Sequence, residues 1–327
     1  IRLHADASDI DRRIVHVRET ITHPPADLVL LYPQWLPGVH APAGQIDKLA
    51  GLSLRADGKA VRWQRDPLDV FAIHVAVPPG TDALDIEFDY LSPTSDAVAA
   101  AEISRDLMLL EWPALVLYPA GHYAQRIPVT ASLTLPAGWS LGTALQVAHA
   151  EGARSNFAPT DLETLIDSPV YAGRHARRID LDPGSKEPVF LNIFADRPSS
   201  LEASDAELAA HRNLVRQADR LYGARHFAHY DFLLSLSDQI GQIGLEHHQS
   251  SENGQDPDYF RDRANQLSGR DLLGHEYTHS WNGKFRRPAG LWTPNYNVPM
   301  QGSLLWVYEG QTQYWGQVLT ARSGIWS

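Results

Sequence analysis

The chain has 327 residues, a net charge of −11 at neutral pH and no cysteine. A chain of this length normally forms two domains that each bury a core, and the lack of cysteine excludes disulfides and thiolate metal ligands. The negative charge without a basic stripe argues against a nucleic-acid partner, and no apolar run approaches the roughly 20 residues that span a bilayer.

The first half of the chain has the pattern of short β-strands. Apolar residues alternate with polar or small ones, which is typical of half-buried strands, over residues 13–21, 70–77, 82–90 and 129–135. Clusters of proline and glycine separate these segments, as expected at turns. We therefore predict an antiparallel, sandwich-like β-domain over residues 1–172.

The second half changes to a mainly helical pattern. We predict strands over 189–195 and 232–237, a further extended piece through 244–246, and helices over 204–222, 258–267, 271–282 and 303–322. Ser204 stands three residues before Glu207, which is the spacing of a helix capping box. The predicted fold class is α+β and multidomain, with a mainly helical second domain over residues 173–327.

The helix predicted at 271–282 carries a candidate metal site. His275 and His279 are four residues apart and therefore lie on one face of the helix, where both imidazoles can reach one ion. Glu276 lies beside that face, and this is the arrangement of the H-E-x-x-H zinc motif. Glu309, thirty residues after His279 in another predicted helix, is the candidate third ligand.

Charged residues near this helix permit two interpretations each. Asp271 could cap the helix, or it could accept a hydrogen bond from His275 one turn later. Arg286 and Arg287 could offset the helix dipole, or they could meet a substrate carboxylate or backbone. The long connection over 283–302 is expected to form a wall of the substrate cleft, because loops of this length are usually functional.

Three segments resemble a known family. HEYTHSWNGKFRRPAGL at 275–291, LLWVYEGQTQYWG at 304–316 and PQWLPGVHAP at 33–42 resemble the glycyl aminopeptidase family of zinc peptidases, in the gluzincin clan. The resemblance implies a β-rich N-terminal domain, a thermolysin-like catalytic domain and a C-terminal PDZ domain. The PDZ domain and the last catalytic helices have no counterpart in this sequence.

The resemblance also implies an activity. It suggests one Zn²⁺ per chain, bound by His275, His279 and Glu309, with Glu276 as general base. The implied substrates are peptides with a free N-terminus, from which glycine or alanine is released. Thermolysin-like enzymes often have an aspartate four residues after the glutamate ligand, and here that position is Gln313. The oxyanion donor of related aminopeptidases is expected beyond Ser327.

The segment GQIGLEH at 241–247 resembles the exopeptidase strand G-x-M-E-N of related aminopeptidases. Leu245 stands in place of the methionine and His247 in place of the asparagine. The resemblance implies that Glu246 binds the α-ammonium group of the substrate, with Gly244 and Leu245 along the same strand. An edge strand could in addition pair with the peptide backbone.

Two other functions remain open at this point. A zinc endopeptidase of the same clan would keep the metal site and give Glu246 no special role. A zinc-binding fragment without turnover is the other alternative. The chain starts at Ile1 without methionine, so a leader is expected to have been removed, which favours a periplasmic or secreted location over a cytoplasmic one. It ends at Ser327 directly after a predicted helix, so more protein is expected to follow.

Overall fold

The computed structural model describes residues 1–94, 98, 100–262, 267 and 269–326. Within these residues the first half is built from short strands: β1 Arg2–Asp9, β2 Ile14–Thr22, β3 Val29–Leu31, β4 Trp35–Leu36, β5 Ala41–Pro42, β6 Leu49–Ala56, β7 Lys59–Ala60, β8 Trp63–Arg65, β9 Ala72–Val75, β10 Ala83–Leu91, β11 Ala101–Ile103, β12 Leu107–Leu110, β13 Tyr118–Pro119, β14 Pro128–Thr134, β15 Ser140–Thr143, β16 Val147–Glu151, β17 Arg154–Phe157, β18 Thr160–Asp161 and β19 Val170–Gly173. A short helix, α1 Leu162–Ile166, lies between the last two.

The largest sheet of the first half has nine strands in the order β16-β17-β14-β1-β2-β10-β6-β7, with β18 paired to β14. Alternation explains why its central strands form: in β10, Leu84, Ile86, Phe88 and Tyr90 are buried and the residues between them are exposed or half-buried. The pair β1–β14 is parallel and the other pairs in this sheet are antiparallel, so the predicted antiparallel sheet has one exception.

Two further sheets of four strands, β11-β12-β19-β15 and β13-β3-β9-β8, share a core with the nine-stranded sheet. A two-stranded hairpin, β4-β5, forms a separate small sheet in this half. The hairpin is joined to the chain's second half, because the backbone amides of Gln34 and Trp35 donate to the carbonyl of Tyr296 over 3.0 and 2.7 Å. This contact brings the first half of the chain against the loop that follows the predicted metal helix.

The second half contains a mixed sheet as well as helices. Its elements are β20 His175–Asp180, β21 Val189–Ala195, α2 Asp205–Tyr222, β22 Tyr230–Leu236, β23 Gly244–Glu246, β24 Ser250–Gln255, α3 Leu272–His279 and α4 Leu305–Ser323. The sheet order is β20-β21-β22-β24-β23, so β23 lies at an edge. The predicted cap of α2 is present, since Ser204 Oγ accepts from the Glu207 amide over 3.2 Å and Gly223 ends the helix in the left-handed conformation.

The β-rich, multidomain α+β fold is thereby confirmed. The second half is not mainly helical, because the predicted extended segments at 189–195, 232–237 and 244–246 join β20 and β24, which were not predicted, in a five-stranded sheet. β24 lies parallel to β22 and is buried along its whole length, so it lacks the alternation that identifies a half-buried strand. Residues 258–262 form a turn where a helix was predicted, and 263–266 lie outside the described residues. The domain boundary at residue 172 stays a prediction. In the part of the chain described here, no helix is long and apolar enough to cross a membrane.

Candidate metal centre and anchor strand

The two histidines and the distant glutamate meet at one point between α3 and α4. His275 Nε2 and His279 Nε2 are 3.0 Å apart, and Glu309 Oε2 lies 3.4 and 3.3 Å from them. The i, i+4 spacing on α3 aligns the imidazoles, and α4 supplies the carboxylate. These three side chains form a group whose ligand atoms could hold one metal ion.

The spacing of these three atoms fits zinc. Ligand atoms at roughly 2.0–2.1 Å around a tetrahedral zinc stand about 3.3 Å from one another. A second group, formed by Glu246, Glu276 and His279, is also close enough to hold an ion. It offers a single imidazole, so the group with two imidazoles is the better zinc site.

The backbone after α3 orients His279. Its Nδ1 lies 3.1 Å from the carbonyl of Asn282, which assigns the proton to Nδ1 and leaves the Nε2 lone pair for the metal. The Asn282 side chain in turn donates to Thr312 Oγ1 over 3.0 Å, and so ties α3 to α4. Burial lowers the pKa of His279, but carboxylates led by Glu246 outweigh burial and raise it to about 9. Protons therefore compete with a metal ion at this ring.

Two glycines allow α3 and α4 to approach closely. A Cβ on Gly316 would stand 2.7 Å from the Cα of His275, and a Cβ on Gly274 would stand 2.8 Å from the Gly316 carbonyl. The predicted partners Asp271 and Gln313 also lie at this helix contact. They hydrogen bond to each other over 2.9 Å, and Asp271 does not hold His275, whose Nδ1 has no hydrogen-bond partner among the described residues.

Glu276 is buried beside the edge strand β23. Gly244 makes this approach possible, because a Cβ at that position would meet the Glu276 carboxylate. One carboxylate oxygen, Oε2, has no hydrogen-bond partner among the described residues. Burial raises the pKa of Glu276 well above its usual range, and the neighbouring Glu246 and Glu309 carboxylates add to this while His279 opposes it. A buried carboxylate with a raised pKa is suited to accept a proton.

Glu246 is buried on the same edge strand, where it accepts a hydrogen bond from the hydroxyl of Tyr308. Burial alone would raise the pKa of Glu246, but His279, Lys284 and His40 outweigh burial and hold the pKa below its ordinary value. The site therefore holds an anionic Glu246 next to a Glu276 that binds its proton more strongly. Two carboxylates in one site with opposite pKa shifts are typical of groups with different roles.

His40 reaches this site from the hairpin of the first half. Its Nε2 lies 2.9 Å from Glu309 Oε1 and 4.0 Å from Glu246 Oε1, and its ring packs edge-on against Tyr308 with centroids 4.7 Å apart. Neither His40 nor Tyr308 was singled out from the sequence. His40 lies in the segment 33–42 that carries the family resemblance, and this resemblance was the one sequence feature that could have pointed to a role for His40.

A cavity of about 510 Å³ lies beside β23, which we call the anchor strand, and not at the three candidate ligands. Leu245 and Arg287 line it, and so do Phe285, Trp292 and Tyr296 of the 283–302 loop, as expected for a wall of a cleft. Arg286, in contrast, is exposed, and its guanidinium lies over the Phe285 ring at 4.6 Å from the centroid. The structure thus separates two arginines that the sequence left equivalent.

The end of the anchor strand is fixed by a buried ionic network. Asp167, which follows α1, accepts from Lys284 Nζ over 2.8 Å, lies 3.2 Å from His247 Nδ1 and accepts from the His248 amide over 2.8 Å. His247 Nε2 lies 3.0 Å from Glu252. Burial alone would raise the pKa of Asp167, but Lys284 and His247 outweigh burial and hold this pKa far below its usual range. Burial alone would lower the pKa of His247, but Asp167 and Glu252 outweigh burial and raise this pKa to about 9. The sequence offered no signal for this network.

Two family models match this chain. The family model described as Peptidase M61 N-terminal domain matches residues 2–174, more than half of the chain, and the one described as M61 glycyl aminopeptidase matches residues 268–327. No curated protein sequence matches the chain.

Similar solved structures share the fold. An aminopeptidase N family protein from Idiomarina loihiensis superposes with a TM-score of 0.85 at 20% identity, over 99% of this chain and 55% of that one. An M1 zinc metallopeptidase from Deinococcus radiodurans superposes with a TM-score of 0.56 at 16% identity, over 99% of this chain and 70% of that one. A variant of the latter, bound to a Tyr-Ser-Ala substrate, gives a TM-score of 0.57 at 16% identity and the same coverage. The chain thus spans about half the length of the first of these proteins.

Proposed function

Because this chain belongs to the M61 glycyl aminopeptidase family, we propose that it is a zinc-dependent aminopeptidase. In this proposal it binds one Zn²⁺ and releases the N-terminal residue, preferably glycine or alanine, from peptides. The observation that carries the proposal is the anionic, buried Glu246 on an edge strand beside the three candidate zinc ligands. A fixed negative charge at this place pairs with an α-ammonium group and so selects chain ends.

Each side chain has one role in the proposed reaction. His275, His279 and Glu309 hold the zinc, which when bound polarises the scissile carbonyl and lowers the pKa of water towards about 7. Glu276 accepts a proton from the attacking water and delivers it to the leaving amine, for which its raised pKa is suited.

The anchor strand positions the substrate in this proposal. Glu246 binds the α-ammonium group, and the free edge of β23 at Gly244 and Leu245 pairs with the peptide backbone. Arg287, which lines the neighbouring cavity, binds a carboxylate or carbonyl of the peptide. Arg286 is left out of this role because it is exposed and stacked on Phe285.

The test begins with metal content and with cleavage of Gly- and Ala-p-nitroanilide, before and after chelation and zinc restoration. We expect one zinc per chain and cleavage that is lost and regained with the metal. If the chain binds zinc but cleaves neither these substrates nor free peptides, the result would support a zinc-binding fragment without turnover. Zinc that does not bind at all would refute the metal site.

A variant of the anchor separates an aminopeptidase from an endopeptidase. Glu246→Gln removes a buried charge that is paired with the substrate amine, a loss of about 2–5 kcal/mol, so kcat/KM for free-amine substrates should fall at least about 30-fold. N-acetylated peptides should be poor substrates for the unaltered chain. Glu151→Gln, on the exposed strand β16, is the control, and it should leave cleavage of both free and N-acetylated peptides unchanged. Equal cleavage of acetylated and free peptides would support the endopeptidase.

The proposed location is the periplasm or the extracellular space. Fractionation of cells that express the full-length protein tests it, and recovery with the cytoplasmic fraction would refute it.

A further inference from the structure

We propose that His40, which comes from the N-terminal hairpin, is a positioning residue for the metal site. It holds one oxygen of Glu309 so that only the other faces the metal. The inference rests on the proposed zinc site, although not on the substrate of the enzyme. It means that the β-domain contributes to the metal centre directly and is not only a neighbouring module.

The two oxygens of Glu309 have separate surroundings. Oε2 lies 3.3 and 3.4 Å from the imidazole nitrogens of His279 and His275, whereas Oε1 lies 2.9 Å from Nε2 of His40. A carboxylate on a surface helix can rotate, and the Glu309 side chain is 37% exposed. A hydrogen bond to Oε1 removes this freedom and presents Oε2 alone, which is the function of partners behind metal ligands in general.

The proton on His40 follows from its two ring nitrogens. Nδ1 is buried and has no hydrogen-bond partner among the described residues, so a proton there would be an unsatisfied donor. We therefore assign a proton to Nε2, which donates to Glu309 over 2.9 Å. Glu246 Oε1 stands 4.0 Å away, beyond hydrogen-bond distance, so Glu309 is the partner of this donor.

The hairpin holds His40 in this position at a conformational cost. His40 has a φ of 55°, a left-handed conformation that is uncommon for a residue with a side chain. Its amide donates to the Leu36 carbonyl over 3.0 Å, which closes the turn. Gly38, with a φ of 85°, packs so tightly on Leu245 and Glu246 that a Cβ there would force both side chains to shift. Strained residues of this kind cluster at functional sites, where packing keeps them in place.

The experiment measures zinc affinity by competition with a chromogenic chelator in the full chain. His40→Ala should weaken zinc binding by about 10- to 100-fold, the usual effect of removing an outer partner of a metal ligand. The visible absorption of the Co²⁺-substituted protein should also change, because Glu309 is free to bind through either oxygen. His40→Gln, whose amide can donate to Oε1, should recover part of the affinity.

His23→Ala is the matched control, since His23 is an exposed histidine of the same domain with a similar φ of 49°. Far-UV circular dichroism of the metal-free forms checks folding, and His40→Gln carries the test if His40→Ala does not fold. Zinc affinity and a Co²⁺ spectrum equal to those of His23→Ala would overturn the proposal. So would a raised KM for Gly-p-nitroanilide at unchanged zinc affinity, because His40 would then act through Glu246. The comparison of zinc affinities is made without substrate, so its result is independent of whether the chain cleaves peptides.

Discussion

Asp167→Asn should destabilise the protein, because it removes the charge that neutralises a buried lysine. The Lys284 side chain is 1% exposed, and its Nζ lies 2.8 Å from Asp167. Asparagine has nearly the same shape, so the packing around α1 is preserved while the charge is lost. The network joins the first half of the chain to the end of the anchor strand, so its loss also loosens Glu246 by way of His247.

The expected magnitude follows from burial. Breaking a fully buried ion pair by removing one partner costs about 3–5 kcal/mol. The Asp167 side chain is 20% exposed, so water can reach the vacated position and we expect the lower end, about 3 kcal/mol. The variant Asp167→Asn/Lys284→Met removes both charges, and it should recover much of this loss because no buried charge is left without a partner.

The same network predicts a pH dependence of stability. The pKa of His247 is about 9 in the folded chain and about 6.5 when unfolded, so its contribution is complete below pH 6.5 and is lost as the pH rises through 9. This contribution amounts to about 3 kcal/mol. Asp167 has a depressed pKa, so its own contribution is present above about pH 3.9 and is lost only towards lower pH. In Asp167→Asn, His247 keeps Glu252 as a partner, and its alkaline loss of stability should shrink by roughly half.

Urea unfolding monitored by tryptophan fluorescence at pH 6.5, 7.5 and 9 measures both effects. Asp106→Asn is the control, since Asp106 pairs over 3.4 Å with Arg174, whose side chain is 52% exposed, and its loss should cost less than about 1 kcal/mol. An unchanged urea midpoint in Asp167→Asn would refute the reasoning. A double variant with Lys284→Met that is less stable than Asp167→Asn alone would refute it as well.

Two further predictions concern the metal site. Glu276→Gln should retain zinc, because Glu276 lies outside the group of His275, His279 and Glu309, and it should lower kcat by about 10²–10⁴-fold, because the proton acceptor is lost. Metal content and p-nitroanilide turnover measure these two effects. An unchanged kcat would exclude Glu276 as the general base. Gly316→Ala should cost about 1–3 kcal/mol and weaken zinc binding, because its Cβ would stand 2.7 Å from the backbone of His275. Gly310→Ala on the same helix has no atom within 4 Å of the new Cβ and should be neutral or stabilising, so equal stability of the two variants would contradict the close helix contact.

The sequence by itself determined the features that depend on spacing within one element. The geometry of a helix is regular, so His275 and His279 had to share a face of α3 and Glu276 had to lie beside them. The cap at Ser204 and the alternating strand β10 follow from equally local rules. The buried strand β24 escaped recognition, because a strand buried on both faces has no alternation.

Only the tertiary structure decided which distant side chains meet around the site. His40 contacts Glu309 across 269 residues, and Asp167 contacts Lys284 across 117. Such contacts depend on how the hairpin, α1 and α4 pack together, and no local periodicity encodes that packing. The same reason explains why Asp271 and Gln313 bind each other, and why Arg287 lines the cavity while the adjacent Arg286 remains exposed.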